Sequence, residues 1–131
     1  RETERAFDIK DAKDILSEYK KMINSSIHRI NFLHEIRFTK GDDFSLSPCY
    51  HRDTMWIGCY NADNFGWEKL MSDFEHFAKQ HGGRSHWGKE FTVDKDYLRN
   101  NFTELEKFNH LRKQFDPGGK FENELISKIL F

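Results

Sequence analysis

Residues 30–38 read INFLHEIRF and show a period-two pattern. Because successive side chains of a strand point to opposite faces, this stretch predicts a β-strand with two different faces. One face has a single polar member and consists of Ile30, Phe32, His34, Ile36 and Phe38. The opposite face consists of Asn31, Leu33, Glu35 and Arg37. We expect the first face to lie in the core and the second to be open to solvent or to a ligand.

The same alternation predicts two further strands, one on each side of this stretch. Residues 5–9 form a short strand, and residues 54–60, TMWIGCY, form a longer one. In the longer strand the inward side chains are Met55, Ile57 and Cys59. The side chains on its other face are Trp56, Gly58 and Tyr60. If this strand pairs with residues 30–38, Glu35 and Arg37 lie on an open face beside two aromatic rings.

Helical periodicity fills the intervals between these strands. A single apolar stripe after Asp11 predicts a helix that ends at residues 24–26. A second stripe predicts a helix that is capped by Asp63 or Asn64 and closed by the pair Gly82-Gly83.

The rest of the chain completes the pattern. A weak strand is predicted at residues 90–93, and the capping box at Thr103 and the cap at Asn123 predict two C-terminal helices. The order strand, helix, strand, strand, helix, weak strand is that of a split βαβ unit. We therefore predict one α+β domain over residues 1–131. It consists of a ferredoxin-like antiparallel sheet with helices on one face and a C-terminal helical extension.

The composition excludes several classes of protein. With 21 Lys+Arg against 22 Asp+Glu, the net charge is −1, which leaves no basic excess for binding nucleic acid. No apolar run approaches the ~18–20 residues of a membrane span. The charged start of the sequence does not match a cleavable signal. Two cysteines do not make a disulfide framework, which favours reduced thiols in a cytoplasmic protein.

Glu35 and Arg37 are the first candidates for a functional site. Their Cα atoms are about 6.6 Å apart on one strand, so the two side chains can touch each other or clasp one ligand. A fixed guanidinium can bond a substrate hydroxyl and stabilise negative charge that develops on its oxygen. The plain alternative is a solvated ion pair that contributes well under ~1 kcal/mol to stability.

The second candidate is the loop GRSHWGK at residues 83–89, in which glycines flank an aromatic side chain. If Lys89 lies near an arginine and an aromatic ring, it can donate to an alkoxide. The plain alternative is a surface lysine beside a half-buried Trp87. We interpret His86 as a hydrogen-bonded structural histidine rather than a catalytic base.

Metal and cysteine chemistry must also be weighed. His76, His81 and His86 are spaced by five residues, which is not the i, i+4 spacing of a metal-binding helix. The pair Cys49-x-His51 is a weak signal, and nothing in the sequence ties this cysteine to a base. Cys59 points to the core by strand parity and should be inert. We therefore predict neither a metal site nor a nucleophilic cysteine.

Four segments, taken in order, resemble one enzyme family. They are EIR at residues 35–37, SPCY and RDT within residues 47–54, HWGK at residues 86–89, and FDPGGKFEN at residues 115–123. The ordered set resembles the C-terminal part of the aldonolactone oxidase and alditol oxidase family, which are flavoenzymes of the vanillyl-alcohol oxidase type. The resemblance extends from about residue 4 to residue 131.

The resemblance implies that the chain is the C-terminal part of a substrate or cap domain. In this family FAD is bound mainly by an N-terminal domain, which would be the partner of this chain. The start RETE has no initiator Met and also suggests a piece of a longer protein. The implied substrate is a small polyol or a sugar lactone. Neither nucleic acid nor a metal ion is expected as a partner.

The resemblance also implies roles for single residues. In polyol oxidases the residues that match Glu35, Arg37 and Lys89 contact the substrate at the flavin, where a hydride passes from a carbinol carbon to N5. Arg37 and Lys89 would stabilise the developing alkoxide, and Glu35 would hold sugar hydroxyls or brace Arg37. Tyr60 would contact the substrate. The expected contacts to the flavin come from His86, Trp87 and Lys89.

Gly58 and Tyr60 depart from the family pattern. Polyol oxidases carry a histidine and a threonine at the matching positions, so the far end of the pocket is altered. Two alternatives to an active oxidase stay open, and the departures at Gly58 and Tyr60 bear on the second. The first is a non-enzymatic ferredoxin-like module whose open face binds a ligand or a protein, and the second is an inactive paralogue.

Overall fold

The computed structural model describes residues 1–25, 28, 30–92 and 94–130 of the 131-residue chain. A short 3-10 turn at Ile9–Asp11 follows the first strand. The strands and helices of the described residues are β1 (Glu2–Asp8), α1 (Ala12–Ile23), β2 (His34–Thr39), β3 (Thr54–Tyr60), α2 (Trp67–Gln80), β4 (Arg84–Ser85), α3 (Lys95–Asn101), α4 (Leu105–Phe115) and α5 (Glu124–Leu130). None of the helices in this part of the chain has the length and apolar character that crossing a membrane requires.

The four strands form one antiparallel sheet in the order β2-β3-β1-β4. Helix α1 connects β1 to β2 and helix α2 connects β3 to β4, so each helix crosses over one strand. This is the arrangement of a split βαβ unit. The predicted α+β fold is confirmed, and the helices α3 to α5 form the predicted C-terminal extension.

Both crossover helices pack on the same face of the sheet. The core between them consists of Phe7, Met55, Ile57 and Cys59 from the sheet and Ile15, Tyr19, Phe74, Phe77 and Ala78 from the helices. Burial of each large apolar side chain stabilises the fold by about 1.5–3 kcal/mol. The inward positions predicted for three residues of β3 are confirmed. Burial raises the pKa of the Cys59 thiol to about 12, so this thiol stays protonated at neutral pH.

Two strands have other bounds than the sequence pattern predicts. Strand β1 begins at Glu2 rather than at residue 5, because it is a central strand that pairs with β3 along its whole length. Strand β2 begins at His34 rather than at residue 30, and it lies at the edge of the sheet. Ile36 and Phe38 are 38% and 58% exposed there. The prediction that this face of residues 30–38 lies in the core is therefore wrong for its apolar side chains, whereas His34 contacts Tyr19 of the core.

The fourth strand lies upstream of its predicted position. Strand β4 is two residues long and pairs with the middle of β1, whereas the prediction placed a weak strand at residues 90–93. Within that range Val93 lies outside the described residues, and residues 90–92 are not part of a strand.

A loop of three residues bulges from the edge of β1 after this short strand. On one side of residues 87–89, the backbone N–H of His86 donates to the carbonyl of Glu4 at 3.1 Å. On the other side, the N–H of Glu90 donates to the carbonyl of Glu2 at 3.1 Å. The loop is therefore anchored at both ends to the central strand.

The C-terminal helices form a second core beside this loop. Its buried members are Leu98, Phe102, Leu105 and Ile129. Trp87 packs on this cluster and donates from Nε1 to the carbonyl of Leu46 at 2.8 Å. Helix α3 is an addition to the two predicted helices. The extension therefore fixes the loop that carries the tryptophan.

The predicted helix starts are confirmed in part. Asn123 caps α5 through an Oδ1 that accepts a backbone N–H at 2.9 Å. Helix α2 begins after Gly66 rather than after Asp63 or Asn64. The capping box predicted at Thr103 is not formed, because α4 begins two residues later without a side-chain cap.

Candidate active site

The face of the sheet that turns away from α1 and α2 carries polar and aromatic side chains. In the register of β2 and β3, Glu35 lies opposite Gly58 and Arg37 lies opposite Trp56. On the other side of β3, Glu4 of β1 also lies opposite Gly58. Directly opposed residues of antiparallel strands share a face. These residues therefore form one surface, which we call the open face, as strand parity predicts.

Arg37 is held on the open face from two sides. Its Nε donates to Oε1 of Glu4 at 2.8 Å, and its guanidinium carbon lies 4.3 Å from the centre of the Trp56 ring. The hydrogen bond to Glu4 raises the pKa of Arg37, and the charge of this carboxylate adds to the effect. Within the described part of the chain, the two Nη nitrogens have no hydrogen-bond partner. They can therefore donate to a ligand.

Glu35 is bound by Tyr60 and does not brace Arg37. The Tyr60 hydroxyl donates to Oε2 of Glu35 at 2.8 Å. Desolvation raises the pKa of the Tyr60 phenol to about 12, and the hydrogen bond to the glutamate is the next cause. Among the described side chains, the other carboxylate oxygen has no hydrogen-bond donor, so it can accept from a hydroxylated ligand.

Lys89 lies at a cleft of about 740 Å³ on the surface. The lining of this cleft includes Glu2, Phe32, Tyr60 and Trp87. Nζ of Lys89 is 2.6 Å from Oε1 of Glu2, and this ion pair holds the ammonium group at the cleft. Lys89 and Tyr60 therefore face one space.

A neighbouring depression of about 300 Å³ lies beside Arg37 and His86. Trp87 lines both spaces. The structure thus divides the predicted site residues into two adjoining groups. The smaller space holds Arg37 and His86, and the larger one holds Lys89, Tyr60 and, through its bond to Tyr60, Glu35.

His86 is fixed by hydrogen bonding, in agreement with its interpretation from the sequence. Its Nδ1 accepts from the backbone N–H of Gly88 at 3.0 Å, which leaves the proton of the neutral ring on Nε2. This Nε2 lies 3.9 Å from Oε2 of Glu4. The ring also meets Trp56 edge-on, with the ring centres 5.6 Å apart.

Glu2 and Glu4 are site residues that the sequence pattern does not find. They precede residue 5, where the pattern places the start of the first strand. The sequence nevertheless contains a signal for them. Glu2 and Glu4 have the opposite strand parity to Arg5 and Phe7, whose side chains face the helices. A strand that begins at residue 2 puts both carboxylates on the open face by parity alone.

The described residues show no arrangement for metal or cysteine chemistry. No three His, Cys, Asp or Glu side chains among them form a group that could hold a metal ion. Both cysteines are free and buried. The Sγ of Cys49 lies 3.1 Å from the hydroxyl of Thr39, which is not a base.

The residues around the cleft fit one part of a flavin, the cofactor that the sequence resemblance implies. Trp87 offers an aromatic surface, and Lys89 offers N–H donors for the polar edge of an isoalloxazine ring. The positive charges of Arg1 and Lys89 at the cleft are already balanced by glutamates, so these side chains offer no unbalanced positive charge to a pyrophosphate. The sequence also holds no G-x-G-x-x-G motif for a pyrophosphate. These residues therefore fit the ring and not the nucleotide half of FAD.

Comparison with known proteins supports the resemblance over nearly the whole chain. The profile of the D-arabinono-1,4-lactone oxidase family matches residues 1–129. L-gulonolactone oxidase of Scyliorhinus torazame is 30% identical over 131 aligned positions, which cover 96% of this chain and 30% of that protein.

Two further relatives carry other names. L-gulono-1,4-lactone dehydrogenase of Mycobacterium tuberculosis (strain ATCC 25618 / H37Rv) is 27% identical over 129 positions, 98% of this chain and 30% of that protein. Alditol oxidase of Streptomyces sp. (strain IKD472 / FERM P-14339) is 31% identical over 103 positions, 73% of this chain and 23% of that protein. The chain spans less than a third of the length of these relatives. By the match of its residues 1–129, the chain belongs to the D-arabinono-1,4-lactone oxidase family.

Proposed function

We propose that the open face is the substrate-facing wall of an FAD-dependent oxidoreductase. This enzyme would oxidise a CH–OH group of a sugar alcohol or an aldonolactone by hydride transfer to the flavin. Relatives that are named as gulonolactone and alditol oxidases support this substrate class. Because another relative is named a dehydrogenase, the proposal covers the oxidation of the substrate and leaves the final electron acceptor open.

The observation that carries the proposal is the fixed guanidinium of Arg37. Oxidation of a CH–OH group removes a hydride from carbon and a proton from oxygen. FAD supplies the hydride acceptor when it is bound, and the proton passes to water. Negative charge grows on the substrate oxygen as the proton leaves. The free Nη nitrogens of Arg37 would donate to this oxygen, and one such donor lowers the barrier by about 2.7–4 kcal/mol.

Lys89 is the second proposed donor. Its ion pair with Glu2 holds Nζ at the cleft, and an ammonium group that makes one such contact keeps further N–H donors. We assign these donors to the substrate oxygen and to the polar edge of the flavin ring. Lys89 would thus act on the substrate from the cleft, and Arg37 from the adjoining depression.

Glu35 and Tyr60 would hold the rest of the substrate. The free carboxylate oxygen of Glu35 would accept a hydrogen bond from a sugar hydroxyl. The Tyr60 ring would pack against the carbon skeleton of the sugar. Tyr60 lines this end of the cleft, where the resemblance implies a threonine in polyol oxidases, and would give it a flat aromatic wall.

His86 and Trp87, together with Lys89, would face the flavin. A separate N-terminal domain of the same protein would bind the nucleotide half of FAD, and residues 1–131 would be the C-terminal part of the cap domain. The relatives are about three times as long as the matched region, which supports a second domain. Two free thiols support a cytoplasmic location.

The test uses the full-length protein that the proposal implies, which we call the parent. Under anaerobic conditions the parent is mixed with L-gulono-1,4-lactone or with D-sorbitol, and the visible absorbance of the flavin is followed. We expect at least one of these substrates to bleach the flavin. Bound flavin that no lactone or alditol bleaches would indicate an inactive paralogue. A parent without flavin would indicate a ligand-binding module.

A further inference from the structure

Glu4 is a buried carboxylate on the open face. Its side chain is 4% exposed, whereas that of Glu2, two residues away on the same face, is 43% exposed. Removing a carboxylate from water is unfavourable unless charged or polar donors compensate. The structure provides such donors on the site itself.

Both oxygens of Glu4 face side chains of the smaller depression. Oε1 accepts from Nε of Arg37 at 2.8 Å, and Oε2 lies 3.9 Å from Nε2 of His86. Arg37 belongs to the edge strand β2, and His86 lies just after β4 at the opposite edge. Glu4, on the central strand between them, therefore connects the two walls of the depression.

We propose that Glu4 is a positioning residue that fixes the guanidinium of Arg37 and so directs both Nη nitrogens to the substrate oxygen. This inference rests on the proposed function. The nitrogens of a guanidinium lie in one plane. The bond at Nε and the contact with the Trp56 ring therefore determine where the two Nη groups stand. A carboxylate bound at the Nη groups would instead occupy the donors that the substrate needs.

A comparison within the same strand shows what a purely structural pair looks like. Arg5 and Glu75 form an ion pair on the helix-covered side of the sheet, where both side chains are buried. Arg5 also donates to Thr3 and to backbone carbonyls, so its donors are used within the protein. Arg37 differs because its side chain is 36% exposed and, among the described residues, only its Nε donates a hydrogen bond. A buried acid that holds an accessible arginine is the arrangement expected of a positioning residue.

The contact itself can be measured on the 131-residue chain by NMR. We expect the Arg37 Nε–H of the unaltered chain to exchange slowly with water. In Glu4→Gln, which removes the charge and keeps one acceptor oxygen, exchange should be faster by about 10-fold or more. The matched control is Glu68→Gln, which neutralises the partner of an exposed arginine, Arg1, and should leave the Arg37 signal unchanged. Fast exchange in the unaltered chain would overturn the inference, whether or not the variants fold.

The consequence for the reaction is measured in the parent by anaerobic flavin reduction at saturating substrate. We expect Glu4→Gln to slow reduction by about 10²-fold with unchanged flavin content. Because Glu4 acts through Arg37, the double variant Glu4→Gln, Arg37→Ala should be no slower than Arg37→Ala alone. Losses that multiply in the double variant would overturn the positioning role.

The two proposals fail in different ways. If Arg37→Ala slows flavin reduction and Glu4→Gln does not, the positioning role is wrong and the proposed function stands. If neither L-gulono-1,4-lactone nor D-sorbitol reduces the flavin of the unaltered parent, the proposed function is wrong, and the positioning role falls with it.

Discussion

The ring of Tyr60 occupies the space that a side chain at Gly58 would fill. Both residues lie on the open face of β3, and a Cβ at position 58 would stand 2.9 Å from Cε2 and 3.1 Å from the hydroxyl oxygen of Tyr60. The glycine therefore allows the phenol to reach Glu35, to which it donates at 2.8 Å. Gly58 and Tyr60, the two positions at which the sequence resemblance implies a departure from the polyol-oxidase pattern, thus form one coupled feature, in which the absence of one side chain makes room for the other.

The substitution Gly58→Ala tests this coupling. Because the added Cβ collides with the ring, we expect Tyr60 to move and to lose its hydrogen bond to Glu35. Desolvation and then this hydrogen bond raise the pKa of the Tyr60 phenol to about 12 in the unaltered chain, so it should fall towards the ordinary value of about 10 when the displaced ring loses both. Titration of the tyrosine ring signals by NMR measures the change, and Tyr60→Phe identifies the signal. A phenol pKa that stays at its raised value would contradict the coupling.

The buried pair of Arg5 and Glu75 predicts a large effect on stability. Glu75→Ala leaves the Arg5 guanidinium buried without its carboxylate, so we expect the free energy of unfolding to fall by about 3–5 kcal/mol. Urea unfolding, monitored by circular dichroism, measures this change in the free energy of unfolding. The control Glu124→Gln removes a carboxylate from an exposed i, i+4 pair on α5 and should have a much smaller effect. Equal effects of the two substitutions would refute the prediction.

His34 predicts a pH dependence of stability. Burial lowers the pKa of this imidazole below its ordinary value of 6.5, and its Nδ1 is hydrogen-bonded to the hydroxyl of Tyr19. The unfolded chain therefore takes up the proton at a higher pH than the folded chain does. The stabilisation is complete above pH 6.5 and is lost as the pH falls from there through the folded-state pKa.

The measurement is a series of urea unfolding curves across this pH range for the unaltered chain and for His34→Gln. We expect the variant to lose less stability than the unaltered chain on acidification, because its side chain at position 34 does not titrate. The difference between the two series removes the contribution of the other histidines. If the free energies of unfolding of the two proteins change equally with pH through the whole range, His34 is not the group responsible.

Strand parity alone was enough to place the main side chains of the open face. Period-two alternation follows from backbone geometry and holds wherever a strand forms. Residues 35, 37, 56 and 60 therefore share a face in the structure as they do in the sequence pattern. The inward set of β3 was predictable for the same reason.

Features that depend on distant parts of the chain were not predictable in this way. The exposure of Phe38 follows from the position of β2 at the sheet edge, which no local pattern encodes. Glu4 is 33 residues away from Arg37 in sequence. The hydrogen bond between them can therefore be recognised only when the position of β1 in the sheet is known. Strand β4 is two residues long and has no periodicity to detect.

The rate of flavin reduction in the parent that carries Arg37→Ala tests the proposed role of the open face most directly. A single-turnover experiment without oxygen compares this rate with that of the unaltered parent, with flavin content measured in both. The control Arg99→Ala removes an arginine of α3 that pairs with Glu106 at 3.4 Å and lines neither the cleft nor the depression, and it should leave the rate unchanged. We predict that Arg37→Ala slows reduction by about 10²–10³-fold while the flavin stays bound. A rate equal to that of the unaltered parent would contradict the assignment of Arg37 to the substrate oxygen.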